Sequence, residues 1–275
     1  MSRKDKAKKK KTAGDYVLTL VLIVAVVVFC YAAFNLYHIY TEYKKGTDEY
    51  NSISEMAVTE RDPDASEDLG QPEEQQPVAP INVDFASLKS INDDVIGWIY
   101  MEALPQISYP MVQGKDNNMY LHQTYEKNYN FAGTIFIDYE NKRDFSDCNT
   151  IVYGHNMKNG SMFGSIHSFE DETFFDGHPY IYVYTENERL TYEIYEAAKF
   201  TDVYIPSEYV ISSKDDRDQF LADVREKVSD NKLHVREDME IGEDDRLITL
   251  STCVSGERNH RYLVIGVLVE TALYR

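Results

Sequence analysis

The sequence predicts a mainly β domain, a barrel or a sandwich, carried behind one transmembrane helix. Three observations lead there. Eight strand-like strings follow one another between residues 97 and 270, separated by turn residues. Tyrosine dominates the aromatics, with 22 Tyr against one Trp, and Tyr- and Val/Ile-rich strings favour strands over helices. One long uncharged run, Tyr16–Tyr37, stands behind a basic N-terminus.

That N-terminus comes first. Residues 1–11 hold Arg3, Lys4, Lys6, Lys8, Lys9, Lys10 and Lys11 against a single acid, Asp5. The 22 residues of Tyr16–Tyr37 contain no Asp, Glu, Lys or Arg. A helix of that length, at about 1.5 Å per residue, spans the ~30 Å hydrocarbon core. We therefore read residues 1–15 as a cytoplasmic basic tail and 16–38 as a membrane anchor. The positive-inside rule puts the remainder outside the cell. A cleaved signal peptide has a shorter apolar core, about 7–15 residues, ending in small residues. Here only Ala32-Ala33 resembles such an end. Cys30 follows bulky Val28 and Phe29 and reads as an apolar membrane residue.

Residues 39–80 read as an extracytoplasmic stalk and linker. Its first part, 41–59, mixes charge with scattered apolar residues and can continue the helix. Its second part, 60–80, is acidic, rich in Pro and Gln and almost without apolar content, the composition of a solvated spacer.

The folded domain is drawn over 81–275. A short helix is expected over 84–93. Strands are expected at Gly97–Met101, Ser108–Gln113, Thr134–Asp138, Thr150–Tyr153, Tyr180–Tyr184, Leu190–Phe200, Leu247–Thr252 and Tyr262–Glu270. One helix interrupts them at Lys214–Lys227. Asp215 and Asp216 open it and Arg225 and Lys227 close it, as the helix dipole prefers. Phe220, Leu221 and Val224 share one face.

The formal charge is −19, and since residues 1–11 carry +6 the remainder carries −25. Such an acidic body argues against a nucleic-acid partner, which needs a basic face. Three cysteines, one of them in the apolar run, exclude a disulfide scaffold. Cys148 is expected as a buried free thiol with a structural role. No paired-Cys or HExxH pattern exists, so neither a metal nor a cofactor is expected.

Three residues stand where strands end. Cys253 closes the string Ile248–Cys253, and a turn, Val254–Glu257, follows. Arg261 opens the next apolar string. If the two pair as a hairpin, Arg261 lies beside Cys253, where a guanidinium favours a thiolate and can stabilise an oxyanion. Arg258, in the loop, competes for that role. His155 ends Ile151–Tyr153 after Gly154, placed to move protons near neutral pH. Taken singly, each has an ordinary reading: a buried structural Cys, a hydrogen-bonded His, a solvated Arg. Together they make a nucleophile, base and oxyanion set.

The strings TLSTC, RYLVIGVL and IVYGHNM together resemble the sortase family. INDDVIGWI (91–99), YPMVQGKDNNMYL (109–121), GTIFIDYEN (133–141) and the inserted helix resemble its class B branch. The resemblance spans roughly residues 85–270. It implies an eight-stranded sortase-type β-barrel with an N-terminal helix and a helix inserted before the catalytic Cys strand. It implies a cysteine transpeptidase. Cys253 would attack the Thr carbonyl of a sorting motif in a secreted protein, and an amine of a cell-wall precursor or pilin would resolve the acyl-enzyme. His155 would be general acid/base and Arg261 would orient substrate. Asn117, Leu121, Tyr204, Ile205 and Ser251 would line the substrate groove. Val254 departs from members that carry Glu after the Cys. A thiol peptidase or amidase needs the same residues. A non-enzymatic surface protein would need none of them.

Overall fold

The computed structural model describes residues 12–60, 80–227 and 232–273. It divides into two units, Met1–Lys45 and Gly46–Arg275. Helix α1, Ala13–Ala57, runs through both. In the first unit it is long and apolar enough to cross a membrane. Its Leu, Val and Phe side chains there are exposed, the state expected of a surface that meets lipid.

In the second unit the last turns of α1 are part of the folded body. Gly46, Tyr50, Ile53 and Ala57, spaced three or four apart, are buried. The Tyr50 hydroxyl donates to the Gly133 carbonyl at 2.6 Å, and its ring meets Tyr109 edge-on at 5.3 Å. Strand β1 (Val58–Glu60) then pairs antiparallel with β2 (Ile81–Val83). Gly46–Glu60, drawn in the sequence as stalk, thus packs with the domain, because its scattered apolar residues share one helix face. The spacer read over 60–80 lies, apart from its two ends, outside the described residues.

Helix α2 (Phe85–Ile91) is capped by Asp84, whose carboxylate accepts from the Ser87 backbone N–H at 3.0 Å. The strands that follow are β3 (Val95–Tyr100), β4 (Ser108–Val112), β5 (Ile135–Ile137) and β6 (Asn149–Tyr153). A 3₁₀ turn (Gly164–Glu170) and α3 (Glu172–Gly177) lead to β7 (Tyr180–Tyr184) and β8 (Glu188–Thr201). The rest is α4 (Ile205–Glu208), α5 (Lys214–Lys227), β9 (His234–Val235), β10 (Leu247–Val254) and β11 (Glu257–Leu273).

Eight strands form one sheet in the order β11-β10-β6-β5-β4-β3-β7-β8, and pairing of β8 with β11 closes it into a barrel. Closure pairs the two strands that would otherwise be open edges. β9 adds a short rung to β8. Most pairs are antiparallel, but β6 runs parallel to β10 and β5 parallel to β4. The eight strings read from the sequence are these eight strands. The two longest exceed their expected limits, since β8 and β11 pair from His260↔Thr201 to Leu273↔Glu188. The added ends at Glu188, Arg189 and Glu257–His260 are polar or charged, which hides them from a hydrophobicity reading.

Helix α5 has the limits the sequence predicts. Phe220, Leu221 and Val224 pack on Ala198, Phe200, Leu263 and Ile265 of β8 and β11. Phe220 meets Phe200 and Tyr209 edge-on. Beside this contact Arg225 Nε reaches Glu196 Oε2 at 3.2 Å. Glu196 is fully buried, and its pKa is pushed up to about 7 by burial, against the pull of Arg225.

Cys148 is free and half-buried, where the sequence suggests full burial, and its thiol donates to the Ser212 carbonyl at 3.2 Å. Its carbonyl accepts from Leu247 N at 2.9 Å, at the start of β10. Cys253 is six residues further along that strand, roughly 20 Å at ~3.3 Å per residue. That separation exceeds the Cα distance of about 7 Å within which a disulfide can form.

Candidate active site

One barrel end collects the candidate residues because of strand register. β10 and β11 are antiparallel neighbours, and Cys253 is the register partner of Arg261. The register shifts just beyond, between Cys253 and Val254, and the hairpin closes at Gly256, φ +82. Arg258 therefore belongs to β11 rather than to a loop, and it lies outside the facing pair. On the other side of β10, parallel β6 places Tyr153 beside Ser251. The next residues, Gly154 and His155, leave β6 at the same barrel end. Gly154 is tied to β10 in both directions. Its N–H donates to the Ser251 carbonyl at 3.2 Å, and its carbonyl accepts from the Thr252 hydroxyl at 2.7 Å. A Cβ at Gly154 would stand 2.6 Å from both Ile135 and Phe163, so only glycine lets the chain turn here.

Cys253 presents an exposed thiol at the end of an otherwise buried strand. His155 is only partly accessible. Its Nε2 lies 2.8 Å from the Leu121 carbonyl, and its ring stacks on His122 with centroids 5.6 Å apart. A carbonyl only accepts, so Nε2 carries the hydrogen and Nδ1 keeps the lone pair in the neutral ring. Burial holds the His155 pKa below the usual range. The charge of His122 adds to that, and the Leu121 hydrogen bond opposes it. His155 is thus a neutral base at pH 7. The Leu121 carbonyl is held by a tight approach of the chain at Gly133, φ +59, where a Cβ would lie 2.6 Å from the oxygens of Tyr120 and Leu121. The Arg261 Nη1 donates to the carbonyls of His260 at 3.0 Å and Arg258 at 3.4 Å, which braces the guanidinium beside the strand end.

Cys253, His155 and Arg261 line one groove of about 330 Å³. Asn117, Leu121, Tyr204, Ile205 and Ser251 line the same groove. All eight residues named from the sequence therefore meet, although they come from five separate stretches of chain.

Sequence reasoning passed over Asp138, which organises one wall of this groove. It is fully buried. Its Oδ2 accepts from Asn117 Nδ2 at 2.8 Å and from the Tyr153 hydroxyl at 2.9 Å. Its Oδ1 faces the Tyr204 hydroxyl at 3.0 Å and accepts from Glu140 N at 2.9 Å. Burial pushes the Tyr204 and Tyr153 hydroxyls well above the usual tyrosine range, and the neighbouring carboxylates add to this. Both stay protonated as donors. Asp138 sits in the string GTIFIDYEN, but nothing in that string marks an acid that turns inward.

Two more residues were missed. Asn156 Nδ2 donates to the Cys253 carbonyl at 2.7 Å, and His167 Nε2 lies 3.1 Å from the same oxygen. Asn156 has a sequence signal, since it follows His155. His167 has none, because the 3₁₀ turn that carries it is brought back only by the fold. Among the described residues, no three His, Cys, Asp or Glu side chains cluster as metal ligands.

Comparison with known proteins adds an independent line. The family model described as "Sortase domain" matches residues 99–269. Sortase B of Listeria monocytogenes is 36% identical over 173 residues, covering 62% of this chain and 67% of that protein. Sortase B of Staphylococcus aureus is 27% identical over 259 residues, covering 93% of this chain and 98% of that protein. The solved structure of Clostridium perfringens sortase B superposes with a TM-score of 0.61 at 35% identity, covering 68% of this chain and 100% of that one.

Proposed function

The chain belongs to the sortase family of cysteine transpeptidases, in its class B branch, and from that premise we propose how its own residues divide the reaction. The observation that carries the reading is the meeting of Cys253, His155 and Arg261 on one groove, with Cys253 and Arg261 as register partners.

The substrate is a secreted protein with a sorting motif near its C-terminus. Its peptide lies along the groove against Asn117, Leu121, Tyr204, Ile205 and Ser251. Neutral His155 takes the Cys253 thiol proton at Nδ1, and the sulfur attacks the carbonyl carbon of the motif's Thr. Negative charge forms on the carbonyl oxygen, where the Arg261 guanidinium meets it. Collapse of this intermediate breaks the peptide bond, and His155 returns the proton to the leaving amine. A thioester remains on Cys253. An amine of a cell-wall precursor or a pilin then attacks it, and His155 takes that amine's proton and passes it to the departing sulfur, which restores the thiol and the neutral ring. Side chains of this chain supply every group these steps call for.

The basic tail ahead of the apolar run supports an orientation with the N-terminus in the cytoplasm and this chemistry at the outer face of the membrane. Protease added to intact protoplasts should then remove the domain from Ile81 onward, and full protection would reverse the orientation.

A thiol peptidase would use the same three residues and let water resolve the thioester. The deciding experiment is a peptide library offered to the protein with and without an added primary amine. Peptide–amine conjugates, lost in Cys253→Ala, are expected. Hydrolysis alone, unchanged by amine, would establish the peptidase.

A further inference from the structure

The Cys253 carbonyl is gripped from outside the groove, and the hydrogens available there decide how. Asn156 Nδ2 lies 2.7 Å from that oxygen, which fixes the amide orientation, since the amide oxygen would repel the carbonyl. The same NH₂ lies 3.0 Å from His167 Nε2 and 3.2 Å from Ser255 Oγ. It has one further hydrogen for these two contacts. His167 Nδ1 lies 2.8 Å from Glu170 Oε1, and a carboxylate there takes the Nδ1 hydrogen. In neutral His167 the Nε2 lone pair must then accept from Asn156. The network runs from Glu170 through His167 and Asn156 to the Cys253 carbonyl. A second proton on His167 reverses the last contact. Nε2–H now donates to the Cys253 oxygen, 3.1 Å away, and Asn156 turns its second hydrogen to Ser255. The nucleophile's own peptide then holds two donors, one of them charged.

We propose that Asn156 and His167, oriented by Glu170, are positioning residues that fix the strand end bearing Cys253 and couple its thiol to the protonation of His167. The proposal rests on Cys253 being the nucleophile. The groups facing His167 are accounted for. Glu170 is on its own turn and also contacts Lys232. Tyr262 of β11 stacks on the ring with centroids 4.9 Å apart. Lys158 and Glu257 line the same surface depression. His234 Nε2 meets the Glu170 carbonyl at 3.1 Å. The ring is therefore caught between a fixed carboxylate and the Cys253 peptide, with the aromatic face of Tyr262 holding its plane. Neither Asn156 nor His167 touches the reacting atoms. They act through the placement of Cys253, and a 1 Å misplacement of a reacting group can cost about 10²-fold in rate.

The test uses the full chain in detergent, with two readouts. The first is steady-state transpeptidation. Asn156→Ala and His167→Ala should lose about tenfold or more in kcat with KM within about twofold, while melting temperatures stay near the wild type. The second is the rate of iodoacetamide alkylation at Cys253 against pH, resolved by mass spectrometry of the Cys253 peptide so that Cys30 and Cys148 do not contribute. Besides the inflections of the thiol itself and of His155, the wild type should show a further one that His167→Gln removes. That variant keeps a neutral donor toward the Cys253 carbonyl and should also retain more kcat than His167→Ala. A kcat within about twofold of wild type in both alanine variants would overturn the proposal. So would an unchanged alkylation profile in His167→Gln. Loss of activity in Cys253→Ala alongside normal Asn156→Ala and His167→Ala would sink this inference and leave the assigned nucleophile standing.

Discussion

Cys253 and Arg261 face one another as register partners across the β10–β11 hairpin, while Arg258, three residues earlier, lies within the register shift. Only one of the two arginines is therefore built into the frame that holds the thiol. If the planar guanidinium positions the substrate carbonyl, Arg261→Lys should fail nearly as badly as Arg261→Ala. Each should lose at least about 10²-fold in kcat/KM, because an ammonium cannot reproduce the fork. Arg258→Ala should stay near wild type. Steady-state kinetics with a sorting peptide read all three, and normal turnover by Arg261→Ala would assign the role elsewhere.

His155 gives the enzyme a defined acid limb. Its pKa is lowered by burial first, with the charge of His122 acting in the same direction. In the proposed mechanism the active form is the neutral ring, so kcat/KM should fall as pH drops through a value below the ordinary histidine pKa of about 6.5. Replacing His122 with Gln removes the charge contribution and should move the limb to higher pH. The same sign applies to folding. The unfolded chain binds this proton more readily, so stability is lost as pH falls from the unfolded value through the lower folded one. A pH–rate profile of wild type and His122→Gln checks the direction, and a limb that moves lower refutes the electrostatic reading.

Much of this site was legible because its residues stand at strand ends. Cys253, His155 and Arg261 are visible where apolar strings stop, and the parallel β6–β10 and antiparallel β10–β11 pairings bring those ends together. Helix α5 was readable from its charges and one apolar face. What stayed hidden depends on contacts far apart in sequence. Asp138 reads as an ordinary strand-end acid until Asn117, Tyr153 and Tyr204 converge on it. His167 lies 86 residues from the carbonyl it meets. The last turns of α1 look like stalk because the buried positions in a charged stretch declare themselves only when Tyr50 finds Tyr109 and Gly133.

Glu196 predicts a pH-dependent packing of α5. Its folded pKa is raised by burial to about 7, from an ordinary value of 4.5. Between these values the native state holds a proton that the unfolded chain has released, so stability falls as pH rises through that window. Above it, Glu196 is a buried carboxylate answered by the half-exposed Arg225. Glu196→Gln should raise the melting temperature at about pH 8 relative to wild type and leave it nearly unchanged at about pH 5. Thermal melts at the two pH values decide it, and a uniform loss at both would show that the ion pair outweighs burial.

Asp138 makes the sharpest claim about the groove. Its four contacts come from neutral groups, two on each carboxylate oxygen, so both oxygens must be acceptors. In Asp138→Asn the side chain would keep one acceptor and turn an NH₂ toward donors on the other side. If that side is Oδ2, the Asn117 amide and the Tyr153 hydroxyl lose their partner. If it is Oδ1, the Glu140 N–H does, while the Tyr204 hydroxyl can still donate to Glu140 Oε1, 2.9 Å away. Either way a groove wall is left with at least one unmatched polar group, at about 1–3 kcal/mol each when buried. Asn117 and Tyr204 line the groove. His155 and Arg261, by contrast, are fixed by the carbonyls of Leu121, Arg258 and His260, away from this carboxylate. Asp138→Asn should therefore raise KM by about tenfold and lower stability by about 2 kcal/mol, with kcat changed far less. Kinetics and thermal melts of the one variant read both effects. A drop in kcat equal to the drop in kcat/KM would instead tie Asp138 to the transition state.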